Sequence, residues 1–120
     1  MSRDYSKLKV FELANALVLS VYRATKTFPS DERFGLLSQM RRAAVSVPTN
    51  IVEGCGRQSP KEFQRFLVIA LGSATELRYL VGLSHQLEFL AAVDGPPLLD
   101  ACDAVVKTLQ SFLRTLGEEQ

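Results

Sequence analysis

Residues 39–65, QMRRAAVSVPTNIVEGCGRQSPKEFQR, place a helix end, a tight turn and a helix start in immediate succession. No other stretch constrains the fold as much. Gly54-Cys55-Gly56 is expected to close the first helix, because glycine reaches the left-handed conformation that helix ends use. Ser59-Pro60-Lys61-Glu62 then opens the next as a capping box, with proline at the first helical position. This is a helical hairpin, and other helices must cover its apolar faces.

The flanking sequence supplies them. Residues 1–7 read as a flexible N-terminal tail and residues 8–117 as one bundle domain. Val10, Leu13, Leu17, Val21, Ala24 and Phe28 recur at helical spacing, and Pro29 ends that helix by restricting Phe28. Ser30 is a suitable N-cap with Asp31 and Glu32 behind it, so a second helix is expected over 31–54. Phe34, Leu37, Met40, Ala44, Val47 and Ile51 form its inner stripe. Pro48 interrupts that helix and predicts a bend, relieved by Ser46 or a neighbouring subunit, since an interior proline costs roughly 3 kcal/mol. The third helix runs to about Ala91, with apolar residues on an arc wide enough to be covered on two sides. Val93-Asp94-Gly95-Pro96-Pro97 is a turn, and a fourth helix follows to about Leu116. Four helices on short links imply an all-α fold, an antiparallel up-down four-helix bundle.

A chain of 120 residues, 47% apolar and 22% charged, is one globular domain able to bury a core without staples. Cys55 and Cys102 match no metal spacing, the N-terminus has no signal-peptide core, and no run of 18 apolar residues occurs. The expectation is a soluble cytoplasmic protein with reduced thiols, no membrane association and no cofactor or metal. Net charge is +1, but residues 1–65 carry eleven Lys/Arg against six Asp/Glu, and residues 66–120 three against seven. That asymmetry permits one basic face, or charge complementarity within or between subunits.

Two constellations are candidates for function. Arg41, Arg42, Arg57, Lys61 and Arg65 are the basic residues around the hairpin, and arginine forks and a helix N-terminus suit phosphate oxygens. They are nucleic-acid-binding candidates, set against ordinary salt bridges to Glu53, Glu62 and Glu76. Arg42, Ser46, Asn50, Glu53 and Arg57, spaced by four, four, three and four, form a polar stripe that is either solvated or a subunit contact. Ser46, Asn50 and Glu53, with Phe66 and Ile69 of the wide apolar arc, are the oligomer-interface candidates. Gly72, Ser73 and Ala74 are expected to let a helix pack closely, with Ala43 and Ala44 as partners. Gly54-Cys55-Gly56-Arg57 lacks the strand and the Gly-Lys-Ser/Thr ending of a P-loop. His85 is the only histidine, and no Glu-x-x-His repeat is present. No catalytic constellation is visible, so an enzyme is not expected.

The elements RRAA, NIVEG-x-GR, EF-x-x-FL and GS-x-x-EL, spread over residues 11–90, resemble the 23S rRNA intervening-sequence (S23-type) four-helix-bundle family. The resemblance implies a four-helix protomer in a ring-shaped homo-oligomer, a homopentamer. A similar protein is the accessory variability protein of diversity-generating retroelements, which binds reverse transcriptase and nucleic acid. The resulting expectation is a non-enzymatic oligomeric bundle that binds RNA or a ribonucleoprotein through a basic rim. The alternative is a protein–protein interaction scaffold without nucleic-acid binding.

Overall fold

The computed structural model describes residues 3–119, which form four α-helices: α1 (Lys9–Ala24), α2 (Leu36–Cys55), α3 (Pro60–Gln86) and α4 (Gly95–Glu119). Short 3-10 turns at Tyr5–Lys7, Thr25–Thr27 and Ser30–Glu32 flank the first two, and no strand occurs among the described residues. α2 packs against α1 and α3, α3 against α4, and α4 back on α1. That cyclic order with short links makes a four-helix bundle, 46 Å long and 23 by 20 Å across. Of the expected tail, residues 1–2 lie outside the described residues. Tyr5–Lys7 turn onto α1, and the Arg3 N–H donates to the Cys55 carbonyl at 2.9 Å.

The core follows the helical periodicities. Leu17, Met40, Ile51, Leu67, Leu77 and Leu109 are all essentially inaccessible. α2 and α3 approach closely through small residues: Ala43, Ala44 and Ala74 are buried, and Ser46 Oγ lies 2.8 Å from Ser73 Oγ. Gly72 does not take part, since a Cβ built there meets nothing within 4 Å. The glycine of close approach is Gly54, where a Cβ would lie 3.0 Å from Phe66 Cβ and 3.3 Å from the Phe63 carbonyl. α3 is long and apolar enough to cross a membrane by length and composition (mean hydropathy 1.5), yet it packs against both α2 and α4.

Four helix ends differ from the sequence reading, each for a local reason. α1 stops at Ala24 rather than Phe28: Thr25 turns its hydroxyl back onto the Val21 carbonyl at 2.7 Å, and the chain tightens into a 3-10 turn. α2 starts at Leu36 rather than Asp31, because Gly35 takes φ −109° and ψ −115°, outside the helical region. Phe34, assigned to the inner stripe, is thereby turned out and is 91% exposed. α3 stops at Gln86, not Ala91, in a Schellman motif: Phe89 N–H bonds to the Ser84 carbonyl and Glu88 N–H to that of His85. Glu88 takes the left-handed position at φ 62°, which a residue with a Cβ rarely adopts. α4 begins at Gly95, with Pro96 and Pro97 inside its first turn, where a missing N–H is harmless.

The Gly54-Cys55-Gly56 segment also closes α2 differently. No glycine has positive φ among the described residues, and Gly56 caps α2 at φ −82°, ψ −5°. Pro48 sits buried within α2, which remains one helix from Leu36 to Cys55. The proline removes the donor that would reach the Ala44 carbonyl. The next two side chains reinforce the ladder beside it: Thr49 Oγ1 donates to the Val45 carbonyl at 2.7 Å and Asn50 Nδ2 to that of Ser46 at 2.8 Å. Ser46, expected to relieve the break, is instead spent on Ser73 and Asn50.

Candidate nucleic-acid interface

The five basic candidates do not form one rim. Arg41 and Arg42 lie in the second turn of α2, whereas Arg57, Lys61 and Arg65 surround the α2–α3 turn. The fifteen positions between Arg42 and Arg57 carry them ~22 Å apart along the bundle at 1.5 Å per residue.

At the α2–α3 turn the arginines are largely committed. Arg57 pairs with Glu53 at 2.7 Å and Arg65 with Glu62 at 2.9 Å. Their guanidinium groups lie 4.8 and 4.7 Å from the centroid of the Phe66 ring, and Arg3 lies 4.4 Å from that of Phe63. Exposed pairs of this kind add only a few tenths of a kcal/mol each, but they neutralise the two arginines. Lys61 is exposed and makes no ion pair among the described residues.

At the other end Arg41 is structural. Its Nε donates to Thr25 Oγ1 at 3.0 Å and an Nη to the Tyr22 carbonyl at 3.3 Å, with the guanidinium 4.5 Å from the Tyr22 ring centroid. It thus caps the C-terminal end of α1, where carbonyls lack partners and positive charge is favoured. Arg41→Met is expected to lower unfolding stability by about 1–2 kcal/mol, the worth of charge-assisted hydrogen bonds at a half-buried site. Urea unfolding checks this.

Arg42 is exposed and makes no ion pair among the described residues. It borders a groove of about 720 Å³ between α1 and α2. Tyr22 of α1, Arg33 and Phe34 of the link, and Leu37, Arg41 and Val45 of α2 complete its main walls, and among the described residues no aspartate or glutamate lines it. The Arg33 guanidinium sits 5.8 Å from the Phe34 ring centroid. Across Arg42, a more polar cleft toward α3 is lined by Gln39, Ser46, Ser73 and Glu76. Phe34 and Arg42 line both, so they stand on the crest between them. Between Gln39 and Glu62 the sequence has no aromatic residue. The fold supplies Tyr22 and Phe34, and the overlooked signal was the Phe34-Gly35 pair, which turns the ring out of the helix.

The oligomer-interface candidates are scattered. Ser46 and Asn50 are half-buried and bonded to each other, Ser46 also to α3, and Glu53 is paired with Arg57. Phe66 is 9% exposed beneath its two guanidiniums. Only Ile69, 40% exposed, offers apolar surface, and Val68 and Tyr79 extend it along α3.

No group of three potential metal ligands occurs among the described residues. His85 packs over Gly95, where even a Cβ would strike the imidazole. Both cysteines are free and buried. Burial, with a smaller push from Asp103 and an opposing pull from Arg78, raises the Cys102 thiol to about 12. Burial likewise raises Cys55, against the pull of Arg3 and with a push from Asp4. Neither thiol is an activated nucleophile at neutral pH.

The family model for the 23S rRNA-intervening sequence protein matches residues 6–111. The chain is also similar to a solved structure from Bacteroides thetaiotaomicron VPI-5482, a protein of unknown function from the S23 ribosomal protein family. The two are 23% identical with a TM-score of 0.79, over 87% of this chain and 97% of that one. At that identity the likeness shows a shared fold. No curated protein matches.

Proposed function

The chain belongs to the 23S rRNA-intervening sequence protein family, and from that premise we propose that it is a non-enzymatic, self-associating cytoplasmic bundle that binds RNA or a ribonucleoprotein through the groove between α1 and α2. One observation carries the reading: among the described residues three arginines line the groove and no carboxylate does. Among the described residues Arg42 has no hydrogen-bond or ion-pair partner, so engaging a phosphate breaks no ion pair among them. Polyanion affinity comes largely from released counterions and grows with each phosphate neutralised. A near-neutral protein can still bind well if a ring repeats one groove several times, because later contacts are made at high effective concentration. The apolar surface at Val68, Ile69 and Tyr79 supports self-association.

Fluorescence anisotropy with nuclease-treated protein and labelled RNA, over a salt series, tests this. Arg42→Glu is expected to weaken binding roughly tenfold at low salt and to reduce the log–log salt slope by about one. Lys61→Glu, at the far end, is expected to change little. Loss with Lys61→Glu alone would move the site to the α2–α3 turn. No binding at low salt would leave the interaction scaffold, with the exposed α3 face as its contact surface.

A further inference from the structure

The aromatic residues in the groove say what form of nucleic acid fits it. Phe34 is 91% exposed and Tyr22 is 38% exposed. A large aromatic ring so fully in water gains nothing for the fold, since apolar burial is what makes such a residue stabilising. Its position is held by the chain: the Gly35 backbone turns the ring away from the helix, and the Arg33 guanidinium lies over one face, 5.8 Å from the ring centroid. Arginines that can hold phosphates thus flank an exposed ring that Arg33 approaches from one side only, the combination that single-stranded nucleic acid requires. Duplex RNA has its bases stacked on one another and offers only edges and backbone. It could use Arg33 and Arg42 but would leave Phe34 in water.

Resting on the RNA-binding reading above, we propose that the α1–α2 groove takes single-stranded RNA, with an unpaired base stacked on Phe34 and the adjoining phosphates held by Arg42 and Arg33. The α2 part of the lining runs from Leu37 to Asn50, which spans ~20 Å at 1.5 Å per residue. That length suits a run of several nucleotides rather than a single one. Tyr22, with Arg41 already held against its face, is a wall of the site rather than a second stacking platform.

The test compares a labelled 12-nucleotide RNA with the same strand annealed to its complement, using the full chain at fixed low salt. Phe34→Ala, Phe34→Tyr and Arg42→Glu are measured beside the wild type, with the mass of each checked by sedimentation velocity. Phe34 is 91% exposed and lies outside the described hydrophobic core, so both substitutions are expected to leave the bundle intact. The expected result is tighter binding of the single strand than of the duplex. Phe34→Ala should weaken single-strand binding roughly tenfold, the usual worth of one stacked base, and Phe34→Tyr should restore it. A 2-aminopurine base in the strand should be quenched by wild type and not by Phe34→Ala.

Equal or tighter duplex binding, or single-strand affinity unchanged in Phe34→Ala while Arg42→Glu loses it, would overturn the stacking proposal and leave the RNA reading standing. Competition by a free nucleoside monophosphate at comparable concentration would make the site a mononucleotide pocket and overturn it too. A drop in assembly mass in Phe34→Ala, with RNA affinity unchanged, would assign the ring to a contact between copies. No binding of either probe by wild type would overturn the RNA reading itself.

Discussion

Gly54→Leu is expected to destabilise the fold by at least about 3 kcal/mol, whereas Gly54→Ala should change it by less than about 1 kcal/mol. Gly54 lies in the last turn of α2, where an alanine would ordinarily be favoured by about 1 kcal/mol. At this position a Cβ would stand 3.0 Å from Phe66 Cβ, 3.2 Å from Phe63 Cδ1 and 3.3 Å from the Phe63 carbonyl. A methyl group can be accommodated by a shift of a few tenths of an ångström, and that cost roughly cancels the propensity gain. An isobutyl group cannot: it meets the backbone of α3, which yields only if the two helices separate. Overpacking of cores costs about 1–3 kcal/mol where side chains can move, and more is expected where a helix must. The midpoint of urea unfolding for the two variants checks the contrast. Equal, large losses would mean that the α2–α3 contact at Gly54 admits not even a methyl group. Because Phe66 also carries Arg57 and Arg65 on its ring, separation of the helices should loosen that end and leave the arginine groove at the other end intact.

That contrast marks what the chain discloses by itself. Periodicity identifies the helices because burial repeats with the turn, and the capping box at Ser59 marks the start of α3: Ser59 Oγ accepts from the Glu62 N–H at 3.0 Å. The role of Gly54 was misread because a glycine near a helix end has two physical uses, left-handed backbone or close approach, and sequence does not separate them. Glu88 is the converse case. It takes the left-handed position that a glycine signal would have announced, so α3 was extended past its real end. The site suffered most from local geometry. Arg41 and Arg42 are neighbours of the same type, yet α1 engages one and leaves the other free. Phe34 fits the helical stripe by spacing and is removed from it by one backbone angle at Gly35. Contacts across α1, the link and α2 decide these outcomes, and no single segment contains them.

Above pH 9 the fold is expected to become less stable with rising pH, with a large part of the loss traceable to one buried thiol. Cys102 is inaccessible on α4, and its thiol is held neutral to about 12 against an ordinary 9.0. In the unfolded chain that thiol ionises near its ordinary value, so between these limits the folded state keeps a proton that the unfolded state has released. The unfolded state then binds fewer protons, and linkage makes unfolding stability fall as pH rises. Below about pH 9 both states hold the proton and the contribution is complete. It declines by up to about 1.4 kcal/mol per pH unit, or about 4 kcal/mol by pH 12. Cys55, also raised by burial, acts in the same direction. The decisive comparison is with Cys102→Ala. That variant should be less stable at pH 8 because of the cavity it leaves, and its deficit should shrink as pH rises from 9 to 11. Urea unfolding at pH 8, 9.5 and 11 reads both lines. A constant deficit would mean that the thiolate finds a partner within the bundle. Asp103 stands next to it and is bonded at 3.1 Å to Arg78; that bond leaves a negative charge beside the thiol and the nearby cation already engaged. Cys102 therefore serves as a small apolar residue of the core.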